Sequence, residues 1–253
     1  MLLIERVTVS KVILLLLKSH LLRVFSIYYL VTYIYFIMKK ILFILFIIML
    51  IITVFLNFKI KATTYMGTYL FVLDAGHGGK DPGTISGSIY EKDINLQIVL
   101  YLKAELERLG ARVILTRDGD YDLATPNAYR RKKSDFDHRI SLINNSQADY
   151  YLSIHLNYLD DFSYYGPQVF YSTVNDKNKD IALKLQKELN SYLGTNREIK
   201  KISNTIYMYQ RLTVPGVLIE CGFLSNKNER EKLTNDKYLR EYAKVVAKTF
   251  LKI

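Results

Sequence analysis

Four residues of this chain, His77, Glu91, His155 and Glu220, have the types and surroundings that metal-assisted hydrolysis needs. His77 follows the apolar run Phe71-Val-Leu-Asp-Ala and sits among glycines in Gly76-His-Gly-Gly79. Glu91 opens a stretch of helical periodicity, His155 ends Tyr150-Tyr-Leu-Ser-Ile-His, and Glu220 ends Val217-Leu-Ile-Glu. Two imidazoles and a carboxylate can hold zinc and leave a fourth position for water, whose pKa then falls from about 16 to about 7. A carboxylate near the metal but not on it can take the water's proton and hand it to a leaving amine.

Each residue also has a plainer reading. Glu91 alone would serve as an acid facing a helix dipole, and His155 alone as a hydrogen-bonded core imidazole. His77 has little to pack against between glycines, which favours a ligand role. Glu220 ends an apolar strand, where a carboxylate is costly to bury without a partner or a metal. His138, beside Asp137 and Arg139, reads as surface. Cys221 is the only cysteine, so no intrachain disulfide can form. With no basic partner in its stretch to activate the thiol, it reads as a small buried hydrophobe.

The elements that must position these groups alternate between the strand and helix periods. Residues 69–75, 111–116, 150–155, 168–171 and 216–220 read as strands. Residues 93–109 carry Ile94, Ile98, Leu102 and Leu106 on one helix face, with Gly110 as the stop; 135–145, 179–193, 227–233 and 237–251 also read as helices. This alternation predicts one α/β domain over 69–253, a mostly parallel twisted sheet flanked by helices on both faces. In such a sheet His77, His155 and Glu220 are expected to meet beyond the carboxyl ends of the strands.

Ahead of the domain, residues 41–58 form an uncharged, largely apolar run of 18 residues between Lys39-Lys40 and Lys59. That length reaches the lower limit for a membrane-spanning helix, roughly 17–25 residues. Ile60-Lys-Ala62 supplies only one of the small residues of a signal cleavage site. Residues 38–61 are therefore expected to be an uncleaved anchor holding the domain outside the cytoplasm. Met38-Lys-Lys and this run look like an exported N-terminus by themselves. Residues 1–37, with a second apolar run at 24–37, are accordingly expected to be an upstream segment that the natural protein lacks; two membrane segments are the competing reading. Eight of the 35 Lys/Arg but one of the 24 acids fall within residues 1–61, so the basic balance belongs mainly to that tail. The rest holds one dense basic cluster, Arg130-Arg-Lys-Lys133, and nucleic acid is not expected as a partner.

Six blocks in order, Leu73-Asp-Ala-Gly-His-Gly-Gly-Lys-Asp-Pro-Gly83, Glu91-Lys-Asp, Leu115-Thr-Arg117, Arg139-Ile-Ser-Leu-Ile-Asn144, Ser153-Ile-His-Leu-Asn157 and Leu218-Ile-Glu-Cys-Gly-Phe-Leu-Ser-Asn226, resemble the signatures of the zinc-dependent N-acetylmuramoyl-L-alanine amidases. The resemblance implies one Zn2+ on His77, Glu91 and His155, Glu220 as the catalytic glutamate, and cleavage of the amide joining the lactyl group of muramic acid to L-alanine in peptidoglycan. Asn157 is the candidate substrate-binding residue. Tyr158 stands where the family usually has a small residue, which would narrow or reshape the groove.

Tyr129-Arg-Arg-Lys-Lys133, Lys201-Ile-Ser-Asn-Thr-Ile-Tyr-Met208 and the short N-terminal anchor without wall-binding repeats are similar to the germination-specific amidases of spore formers. That similarity implies a role in the spore cortex, where peptide removal precedes muramic δ-lactam formation, in the forespore or spore envelope. A regulatory protein partner is compatible with it. Two other functions compete: a zinc peptidase or carboxypeptidase, with Arg117, Arg139 or Arg211 holding a terminal carboxylate, and a wall-binding module without catalysis.

Overall fold

The computed structural model describes residues 2–64, 67 and 69–253, the side chains of 2–13 and 56–64 excepted. Residues 1–60 and 61–253 form two separate units. Helix α1 (Leu2–Thr64) contains neither Gly nor Pro, so nothing in its backbone interrupts the hydrogen-bond ladder. The two apolar runs are therefore one helix. Lys39 and Lys40, between them, lie 5.0 and 4.7 Å over the rings of Tyr35 and Phe36. The stretch Leu14–Phe55, 42 residues, is apolar enough to cross a membrane, and none of it is buried. At 1.5 Å per residue it measures about 63 Å, twice the roughly 30 Å hydrocarbon thickness of a bilayer.

The second unit is the expected α/β domain. Its elements are β1 (Leu70–Ala75), β2 (Ile85–Ser86), β3 (Ile89–Tyr90), α2 (Glu91–Arg108), β4 (Arg112–Leu115), α3 (Arg131–Asn145), β5 (Tyr150–Asn157), β6 (Gln168–Tyr171), α4 (Lys177–Leu193), β7 (Lys200–Lys201), β8 (Gly216–Phe223), α5 (Lys227–Leu233) and α6 (Asp236–Thr249). The main sheet runs β4-β1-β5-β8-β6-β7, and only the β6–β8 pairing is antiparallel. Strands β2 and β3 make a separate small hairpin.

Alternation along the strands sorts the core into two layers. Phe71, Leu73, Leu152, Ile154, Val217, Ile219 and Cys221 face α2, α4 and α6, whose Ile98, Leu102, Leu185, Tyr242 and Val246 are buried against them. Val72 and Tyr151 face the other way, toward Ile143 of α3 and Met208, Tyr209 and Leu212 of the loop between β7 and β8. The period of two puts Asp74, Ser153, His155 and Glu220 on this second face, where α3 is the one helix among the described residues of the domain. Fewer elements cover it, and the site opens there.

Several boundaries differ from those read in the sequence, three of them near the site. β5 and β8 continue past His155 and Glu220, because Leu156 and Phe223 still bury their side chains; the two site residues pair with each other within the sheet, and the register shifts just beyond, between His155 and Asn157. α3 begins at Arg131, not residue 135, where its guanidinium holds Asp122 at 2.9 and 2.8 Å in place of a side-chain cap. The two-residue strands β2, β3 and β7 are too short for periodicity to mark.

Candidate metal centre and active site

β1 ends in a turn that only small residues permit. An added Cβ at Gly76 would lie 2.3 Å from the His155 ring, and one at Gly83 (φ 66°) would lie 2.7 Å from both Glu91 Oε2 and His77 Cδ2. His77 itself holds φ 63°, an uncommon value for a residue with a side chain. The turn is closed by paired backbone bonds between Gly78 and Asp81 at 2.9 and 3.0 Å.

Glu91, the first residue of α2, brings the cluster together. Its Oε1 lies 3.1 Å from His77 Nε2 and 3.1 Å from His155 Nδ1, and accepts from the Leu156 amide at 3.0 Å. Its Oε2 accepts from the Thr84 amide at 2.8 Å. Burial would raise the Glu91 carboxyl, but His155 and His77 outweigh it and hold the group well below the usual carboxylate range. His77 Nδ1 lies 2.9 Å from Asp81 Oδ2, at the distance but not the angle of a good hydrogen bond. Burial depresses the His77 imidazole, yet Asp81 and Glu91 carry it up to about 9. The pocket thus attracts positive charge.

One donor atom each from His77, Glu91 and His155 lies within 4.8 Å of the others. The 3.1 Å contacts are close to the edge, about 3.3 Å, of a tetrahedron with metal–ligand bonds of 2.0–2.1 Å. This N, N, O set therefore fits a metal ion. Glu220, next to His155 across the β5–β8 pairing, is half-buried, and its Oε2 is fully buried with no hydrogen-bond partner. Burial pushes its carboxyl up to about 7. A group in that state can take a proton near neutral pH.

Asn157 lines a cleft of about 450 Å³ shared with all four residues, Lys132 and Tyr158. Its Oδ1 accepts from the Tyr158 amide at 2.8 Å. Tyr158 is partly exposed at the rim, and Lys132 Nζ lies 3.1 Å from Asp81. His138 is exposed and Cys221 buried, the latter's thiol pushed up by burial and far from thiolate character.

Sequence reasoning missed the support beneath the site. Asp74 is buried and accepts from Thr116 (2.9 Å), Ser153 (2.6 Å) and Arg139 (2.6 Å). Arg139 also donates to Asp135, to the carbonyl of Ala75 and, at 2.7 Å, to that of His77. Arg117 donates only to backbone carbonyls. Neither guanidinium is free for a substrate carboxylate, and Arg211 stacks 3.8 Å over Tyr207, so the carboxypeptidase reading loses its cations. The available signal was an arginine beside apolar residues, just after a strand for Arg117 and within a helix for Arg139.

With that geometry in place, the comparisons agree with it. Residues 71–251 match the model of the N-acetylmuramoyl-L-alanine amidase family, and the chain belongs to it. It is 41% identical over 187 residues to the germination-specific N-acetylmuramoyl-L-alanine amidase of Bacillus subtilis strain 168, covering 72% of this chain and 78% of that protein. The CwlD amidase of Clostridioides difficile, solved in complex with the GerS lipoprotein, superposes with a TM-score of 0.69 at 38% identity, over 73% of this chain and 98% of that one. The catalytic domain of the amidase CwlV from Bacillus (Paenibacillus) polymyxa var. colistinus gives 0.63 at 28% identity, over 73% and 97%.

Proposed function

We propose that this domain hydrolyses the amide between the lactyl group of N-acetylmuramic acid and L-alanine in peptidoglycan, with zinc on His77, Glu91 and His155 and with Glu220 as proton carrier. Bound there, zinc would lower the pKa of a coordinated water toward about 7 and polarise the substrate carbonyl. Glu220 takes the proton of the attacking water and returns it to the nitrogen of the departing L-alanine. Asn157 lines the cleft that receives the substrate. The observation that carries this reading is the buried, unpartnered Glu220 Oε2 beside three converging donors.

The likeness to a germination-specific amidase supports a place in spore cortex maturation, with stem peptides removed ahead of muramic δ-lactam formation. The GerS lipoprotein held by the Clostridioides difficile relative supports a regulatory protein partner here. Residues 38–61 act as the anchor and keep the domain at the outer face of the membrane, residues 1–37 being an upstream segment; the intact mass of the natural protein checks this, a mass including residues 1–37 refuting the second part. Mass spectrometry of defined peptidoglycan after digestion with zinc tests the activity. Intact stem peptides with a free L-alanine amine are expected. Release of single terminal amino acids would refute it.

A further inference from the structure

Arg117 is buried, and none of its hydrogen bonds reaches a carboxylate. Taking an ion out of water is costly, and Asp74, Asp120 and Asp93 offset that cost here only through space, without contact. An apolar side chain would fill the same space without that cost, so the guanidinium must supply something else. Its Nε donates to Ala75 O at 3.0 Å and its Nη1 to Gly119 O at 3.0 Å. Its Nη2 donates to two carbonyls at once, Gly76 O at 2.9 Å and Lys92 O at 2.7 Å.

Gly76 and Lys92 are the chain neighbours of His77 and Glu91. A single nitrogen thus joins the turn after β1 to the first turn of α2, immediately beside the two side chains that have to share an ion. Asn95 spans the same gap, from Gly76 O at 3.3 Å to Glu91 Oε1 at 3.2 Å. The turn needs restraint, because His77 holds a positive φ that surrounding contacts must maintain. Only a planar fork with five donors can reach carbonyls on three segments in this way; an ammonium cannot.

We propose that Arg117 is a positioning residue that sets the separation of His77 from Glu91, and through it the affinity of the site for its metal, without touching metal or substrate. The proposal rests on the metal reading of the site. Its test uses the full chain in detergent, as wild type, Arg117→Met and Arg117→Lys. Three properties are measured: zinc affinity by competition with a chromogenic chelator, the visible spectrum of the cobalt-substituted protein, and the fold by circular dichroism.

The Met variant is expected to stay folded, lose about tenfold to a hundredfold in zinc affinity, shift its cobalt bands, and regain peptide release as zinc is raised to saturation. The Lys variant, able to make some of the bonds, is expected to fall between. Wild-type zinc affinity and cobalt spectrum in either folded variant would overturn the proposal, since a merely structural arginine lowers the melting temperature alone. Should the Met variant not fold, the Lys variant decides by the same criterion. A wild-type chain that binds no zinc would instead refute the metal reading, and this inference with it.

Discussion

Of the two site carboxylates, Glu220 has a buried oxygen without a hydrogen-bond partner, whereas both oxygens of Glu91 accept hydrogen bonds, and the proposed role of Glu220 as proton carrier rests on that difference. Glu220→Gln should keep zinc and fold but lose at least roughly 10²-fold in rate. Zinc stoichiometry and peptide release on one preparation check it; near-normal turnover in the zinc-loaded variant would demote Glu220. All four residues were readable because each stands at the end of an element, His77, His155 and Glu220 after apolar strands and Glu91 at a helix start, where a titratable group has little packing role. Asp74, Arg117 and Arg139 were not read as a unit, since the bonds that tie them to the site mostly join positions 41 to 79 residues apart and leave no local pattern. Burial would raise the Asp74 carboxyl, but Arg139 and Ser153 outweigh it and hold it below its ordinary value. Its folded pKa is thus depressed, so its contribution is complete above the unfolded value near 4 and is lost as pH falls through the folded value. Arg139→Met leaves Asp74 buried and unpaired and should cost about 3–5 kcal/mol at pH 7. Thermal unfolding of wild type and variant from pH 7 down to pH 3 should show that gap narrowing in acid. A gap constant with pH would mean the pair contributes packing and little charge.

At the scale of elements, helices and long strands were legible, and their termini were not. The alternation of strands and helices already implied that His77, His155 and Glu220 meet beyond the carboxyl ends of the strands, but it could not say that β5 and β8 continue past His155 and Glu220, because Leu156 and Phe223 are apolar either way. The turn between β1 and α2 has no periodicity at all, yet it brings His77 to Glu91. Gly83 and Gly87 test it as a matched pair. Both adopt left-handed φ, 66° and 62°, so alanine at either should cost about 1–2 kcal/mol in backbone strain. A Cβ at Gly87 meets nothing within 4 Å, whereas one at Gly83 meets Glu91 and His77 at 2.7 Å. Gly87→Ala should therefore keep zinc with a slightly lower melting temperature, and Gly83→Ala should lose zinc as well. Equal metal content in the two variants would show that the turn does not shape the site.

For the molecule as a whole, the decisive asymmetry is between a unit that buries its apolar residues and a helix that exposes them. Leu14–Phe55 is apolar and entirely exposed, which in water would be a large unpaired hydrophobic surface. Insertion in a bilayer removes it, and residues 41–58 alone are long enough for one crossing. The residues from 69 onward hold a hydrophobic core of their own. Three forms of the chain should then fractionate differently. The whole chain and one begun at Met38 should both pellet with membranes and be released by detergent but not by high salt, because burial of apolar surface is insensitive to screening. A chain begun at Tyr69 should be soluble and still bind zinc. If the form begun at Met38 washed off with salt while the whole chain did not, the anchor would lie in residues 1–37 and the assignment of 38–61 would be wrong. Recovery of a natural form starting after Lys61 would show instead that the segment is a signal removed on export.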